Sequence, residues 1–153
     1  MSEVSILERL QGELVAAMKA RDADTLSTLR MLKSALMEAK TKKPRDASLS
    51  PEEEVEILQR YVKKRRETID ELRKAGRGDL VASEEREIAV TLRYLPERIG
   101  EDELRAIVRE VVTQTGAAGP KEMGKVIGGV MARVKGRAEG GVVSRLVREA
   151  LGA

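Results

Sequence analysis

The chain contains no cysteine, no histidine, no phenylalanine and no tryptophan, and its only aromatic residues are Tyr61 and Tyr94. Each absence closes a line of chemistry. Without cysteine there is no disulfide, no thiolate nucleophile and no Cys-ligated zinc or iron–sulfur site. Without histidine the commonest general base and the commonest metal ligand are missing, so neither a Ser-His-Asp triad nor a His-based metal centre can be assembled. Carboxylates and lysines can still move protons, so catalysis is disfavoured rather than excluded. A row of aromatic rings for stacking single-stranded bases is also lacking. No apolar run approaches the ~20 residues a membrane span needs. The opening Met1-Ser-Glu-Val4 has neither the basic start nor the apolar middle of a signal peptide, so a cytoplasmic location is expected. No metal and no cofactor are expected.

What remains is 153 residues, 41% hydrophobic and 36% charged, the composition of a folded helical protein whose core is Leu, Val, Ile, Met and Ala. The net charge of +3 is unevenly spread. From Lys121 onward, seven cations (Lys121, Lys125, Arg133, Lys135, Arg137, Arg145, Arg148) face three anions (Glu122, Glu139, Glu149). A basic tail suits a phosphate-bearing partner.

Apolar spacing predicts helices throughout and no strands. Ser5-x-x-Glu8 is a capping-box pattern, and Ile6, Leu7, Leu10, Leu14, Ala17 and Met18 follow on one face. Asp22-Ala-Asp24 breaks that helix and caps the next, which carries Leu26, Leu29, Leu32, Leu36 and Ala39. Ser50-Pro51-Glu52-Glu53 is the clearest helix start, with a cap, a first-turn proline and acidic residues matched to the dipole. That helix is expected to run to Ala75, and a fourth from about Leu80 to Tyr94. Leu95-Pro96 to Gly100 marks a boundary. The expected architecture is therefore all-α: an N-terminal bundle of about four helices over residues 1–95, then a small three-helix domain over residues 96–153.

Three features invite a functional reading. Gly119-Pro-Lys-Glu-Met-Gly124-Lys125-Val126 superficially matches a phosphate-binding P-loop, but Val126 replaces the magnesium-holding hydroxyl and no strand precedes it. Arg65 falls in the apolar seam of Val55, Leu58, Val62, Ile69 and Leu72; its stem is expected to lie along the core while its head reaches water. The segment from Pro120 to Lys135 is the most informative. At 100° per residue, Met123, Val126, Ile127, Val130 and Val134 share one side, and Lys121, Lys125, Gly128, Ala132 and Lys135 the other, flanked by Gly124 and Gly129. Glycines within a helix cost up to ~1 kcal/mol each relative to alanine. Their place off the apolar face fits the close approach of a phosphate backbone or of a neighbouring helix.

Met123-Gly-Lys-Val-Ile-Gly-Gly-Val-Met-Ala-Arg-Val-Lys-Gly-Arg-Ala-Glu-Gly140 resembles the signature of the YqeY family, which shares this region with the C-terminal tail of GatB, a subunit of the glutamine-dependent tRNA amidotransferase. Leu29-Arg-Met-Leu-Lys-Ser-Ala35, the Ser50-Pro51 helix start and Tyr94-Leu-Pro-Glu97 support the likeness. Ala132 stands where the family has proline, and Arg137 where it has lysine. The resemblance implies a tRNA-contacting module and a family label of carbon–nitrogen ligase with glutamine as amido-nitrogen donor. Nothing here resembles the GatB catalytic domain or the Ser–Ser–Lys centre of its amidase partner, so no catalytic residue is expected in the chain. The expected partner is tRNA, contacted through Lys121, Gly124, Lys125, Gly128, Gly129, Lys135, Arg137, Arg145 and Arg148. An aminoacyl-tRNA synthetase or amidotransferase subunit is a further expected associate. The alternatives are an accessory subunit whose chemistry comes in trans, and a protein–protein adaptor without RNA.

Overall fold

A computed structural model describes residues 4–152 of the chain. The first three residues, on which part of the leader reading rests, lie outside the described range. The described residues form seven α-helices and two short 3-10 turns, with no strand among them. In order these are α1 (Ile6–Ala20), α2 (Ala23–Thr41), α3 (Pro51–Lys74), α4 (Val81–Leu92), α5 (Glu101–Thr115), α6 (Met123–Val134) and α7 (Gly140–Ala150). The 3-10 turns, Gly78–Leu80 and Pro120–Glu122, lead into α4 and α6. The chain divides into two compact units, Met1–Leu95 and Pro96–Ala153.

Local chemistry sets the helix ends. Ser50 Oγ accepts the Glu53 N–H at 3.1 Å while Glu53 reaches back to the Ser50 N–H at 3.1 Å, a complete capping box ahead of Pro51. Asp22 caps α2 by accepting the Thr25 N–H at 3.2 Å, and the Thr25 hydroxyl together with that N–H holds its carboxyl below the ordinary range. Gly116 ends α5 in the left-handed region at φ 68°, where a side chain would be strained.

In the first unit α1 packs on α2 and α3 on α4, and α2 also touches α3 and α4. Leu10, Leu29, Leu32, Leu36 and Leu58 are fully buried around the first pair, and Val62, Ile69, Val81 and Ile88 fill the α3–α4 contact. Full burial of such a side chain stabilises by about 1.5–3 kcal/mol. Met18 departs from the expected core face: it is 56% exposed, because the buried stripe of α1 is Ile6, Leu10 and Ala17 and Met18 lies beyond its edge.

Arg65 is a larger correction. Its head is mostly buried and ion-paired rather than free in water. The side chain is 17% exposed, and Nη1 lies 3.5 Å from Glu84 and 3.7 Å from Glu87, two α4 carboxylates that are themselves 18% exposed. The guanidinium also stacks on the Tyr61 ring at 5.3 Å. The seam is interrupted by a cation because the facing helix supplies two anions at that level.

In the second unit α5, α6 and α7 all touch one another. The core is mostly valine: Val108, Val111, Val126, Val130, Val134, Val143 and Val147 with Leu104 and Leu146. Short branched side chains bring helices close, and α5 approaches α6 at a glycine. A Cβ on Gly129 would sit 2.8 Å from Val111 Cγ1.

Candidate nucleic-acid interface

The face of α6 that turns away from the core is built by its apolar period. Val126, Val130 and Val134, spaced four apart, are wholly buried, so the opposite side is bare. The helix is shorter than the sequence suggests. Residues Pro120–Glu122 form a 3-10 turn, so Lys121 precedes the α-helix, and Lys135 is its C-cap in the left-handed region at φ 45°. The regular part of the stripe is Lys125, Gly128 and Ala132, all exposed.

The three glycines of the segment separate into two kinds. Gly124 and Gly128, one turn apart, have nothing within 4 Å of an added Cβ, so their backbone faces open space. Gly129 instead receives Val111, and its lack of a side chain is explained by packing inside the unit. Lys121 and Lys125 are exposed and their side chains make no ion pair among the described residues. The first turn of α6 holds no acidic residue, and no side chain caps its amides. The Met123 N–H is taken by the Pro120 carbonyl, but two lysines beside a helix start without a side-chain cap oppose the helix dipole when alone and suit an anion there. Glu122, at the N-cap, is the anion of that segment.

The remaining candidate cations are placed differently. Arg137 is tied to the start of the unit: its Nε donates to the Glu97 carbonyl at 3.1 Å and its own carbonyl accepts the Ile99 N–H at 2.9 Å. Arg145 belongs to a ring of charges, lying 2.7 Å from Glu101 and 3.3 Å from Glu149, while Arg105 lies 3.2 Å and 3.5 Å from the same two carboxylates. The hydrogen bond and charge of Arg145 hold the Glu101 carboxyl below its ordinary range, and Glu101 in turn raises Arg145. Arg133, part of the basic count, is 2.7 Å from Glu110. Arg148 is exposed on α7 and makes no ion pair among the described residues. Lys121, Gly124, Lys125 and Gly128 are therefore brought together on one open segment; Arg137 and Arg145 are committed elsewhere.

The P-loop likeness fails structurally as well. Val126, where the hydroxyl would stand, is fully buried, and the segment follows a helix. Among the described residues no group of three or more acidic side chains is placed to hold a metal ion. No described helix is long and apolar enough to cross a membrane.

An all-helical chain of two small units, the second with a signature-bearing central helix, defines a narrow class. The YqeY-like protein family matches residues 7–151, and the chain belongs to that family. It is 32% identical over 154 residues to "Altered inheritance of mitochondria protein 41, mitochondrial" of Pyrenophora tritici-repentis, covering 97% of this chain and 82% of that protein. It is also 35% identical over 89 residues to an uncharacterized protein of Schizosaccharomyces pombe, covering 58% of this chain and 70% of that one.

Proposed function

We propose that the chain is a cytoplasmic, tRNA-associated binding module whose second unit docks on the phosphate backbone through α6, with no chemistry of its own. The observation that carries this reading is the open backbone at Gly124 and Gly128 beside the unpaired Lys121 and Lys125. Phosphates would lie against the first turn of α6, with the lysines supplying charge and the glycines close approach. Lys135 and Arg148 add charge around that contact, whereas Arg137 and Arg145 serve mainly to hold the unit together. With the rings of Tyr61 and Tyr94 in the first unit, recognition rests on shape and backbone rather than base stacking. The family's ligase label, on this reading, reflects association with an amidotransferase or synthetase rather than turnover by this chain.

The test is a titration of labelled tRNA at two salt concentrations, with Lys125→Ala beside the parent. Phosphate binding predicts affinity that falls steeply with salt, and a slope smaller by about one contact in the variant. Salt-independent affinity, or no affinity for tRNA, overturns the reading. Stable capture of an amidase or synthetase without RNA would then favour the adaptor.

A further inference from the structure

A second surface, in the first unit, has the form of a docking groove. Six large hydrophobic residues are well exposed among the described ones, and four of them, Val15, Met18, Met31 and Met37, lie on α1 and α2. The two helices form a hairpin joined by the tight turn at Arg21 and Asp22. Between them runs a groove of about 590 Å³ with Leu14, Val15 and Met18 on one wall and Arg30, Lys33 and Ser34 on the other. Arg30 and Ser34 also border a second hollow of about 530 Å³ along α2, which reaches from Ala23 to Glu38 and includes Met31. At 1.5 Å per residue that stretch is about 24 Å long, room for roughly four helical turns. Neither Arg30 nor Lys33 makes an ion pair among the described residues.

We propose that this groove docks an acidic amphipathic helix of another protein, with apolar side chains on Leu14, Val15 and Met18 and carboxylates facing Arg30 and Lys33. The concave apolar wall asks for side chains that a nucleic acid does not have, and no aromatic ring lines the groove to stack a base. A flat bilayer cannot fill a concavity. A second copy meeting this one groove to groove would bring its own Arg30 and Lys33 against these, placing like charges face to face. Exposed methionines, flexible and polarizable, suit a surface that adapts to a partner's side chains.

The test uses the full chain and two labelled synthetic peptides of about four helical turns. One carries leucines at helical spacing among glutamates; its twin has lysine for every glutamate. The acidic peptide is expected to bind saturably and the basic one at least about tenfold more weakly. Val15→Gln with Met18→Gln, both at exposed positions, should weaken the acidic peptide about tenfold while leaving the melting temperature unchanged. Arg30→Glu should weaken the acidic peptide and strengthen the basic one. Equal binding of the twins, no saturable binding, or affinities untouched by these variants would each overturn the proposal. So would loss of tRNA affinity in Arg30→Glu, which makes the groove an RNA surface, or a parent dimer that the paired glutamine variant dissociates.

Discussion

The carboxylate of Glu54 accepts the backbone N–H of Leu7 at 2.9 Å, closing the start of a helix 47 residues earlier in the chain. Its other oxygen accepts the Ile6 N–H at 3.2 Å, and Ser5 Oγ takes the Glu8 N–H at 3.1 Å. The first three orphan amides of α1 are thereby satisfied. Glu54 is 3% exposed, and no described cation pairs with it. Its charge is instead held by these amides and by the N-termini of two helices, α1 and its own α3, whose dipoles both favour an anion.

Removing that carboxylate strands the Ile6 and Leu7 amides inside the protein. Glu54→Ala should cost about 1–3 kcal/mol, the penalty for buried donors left unmet. Glu54→Gln, which retains one accepting oxygen, should fall between the alanine variant and the parent. Melting followed by circular dichroism gives the ranking, and hydrogen exchange should show the Ile6 and Leu7 amides opening first. An alanine variant with parental stability and protection would mean that water replaces the carboxylate without loss.

Arg65 supports a prediction of similar size. Its Nε is buried without a hydrogen-bond partner, so the guanidinium is held by Glu84, Glu87 and the Tyr61 ring rather than by a full set of bonds. Arg65→Met would leave two mostly buried carboxylates without their cation. A loss of up to about 3–5 kcal/mol is expected, as when one partner of a buried pair is removed. Adding Glu84→Gln and Glu87→Gln should restore much of it, because the stranded charges go too. A single variant as stable as the parent would show that the arginine is not their counter-ion.

Within that cluster Glu87 carries a raised carboxyl, first because it is buried and next because Glu84 is close, with Arg65 pulling the other way. The folded state then holds the Glu87 proton more tightly than the unfolded chain does. Its favourable contribution is complete below the ordinary value of 4.5 and disappears as pH rises through the raised value. Glu53 has the opposite sign: Lys43, 2.5 Å away, and the Ser50 backbone lower it, so its contribution is lost as pH falls. Glu87→Gln should therefore gain on the parent as pH rises from acid to neutral, with the two converging in acid. Melting temperatures across that range give the difference, and a variant that loses ground toward neutral pH would show that Arg65 outweighs burial and Glu84.

Helix boundaries were legible where a signal lies within a few residues of the atom it satisfies. Ser50 with Glu53 and the Asp22 cap both announce themselves locally. The buried face of α6 was legible because Val126, Val130 and Val134 repeat at helical spacing. Arg65 was misread because Glu84 and Glu87 belong to another helix, and no local pattern connects them. Glu54 carried no signal in the sequence, since the Ile6 and Leu7 amides it meets are 48 and 47 residues away. A helical period shows which face lacks side chains; it does not show what comes against that face. Gly128 and Gly129 are neighbours in sequence with different surroundings.

Those two glycines give the sharpest test of the α6 surface. Gly128 faces open space, so Gly128→Leu should keep the second unit folded and gain helix propensity, up to about 1 kcal/mol. A leucine there would hold a phosphate backbone away from the helix, so tRNA affinity should fall. Gly129→Ala places a methyl 2.8 Å from Val111 Cγ1, and Val111 is 2% exposed with little room to retreat. Overpacking of that kind costs about 1–3 kcal/mol, more than the propensity gained. Val111→Ala should relieve the clash and lift the double variant above the sum of the two single losses. Melting and tRNA titration on all four proteins separate the effects. Gly128→Leu that destabilises the unit, or leaves tRNA affinity intact, would remove Gly128 from the interface and leave Gly124 and the lysines to carry it.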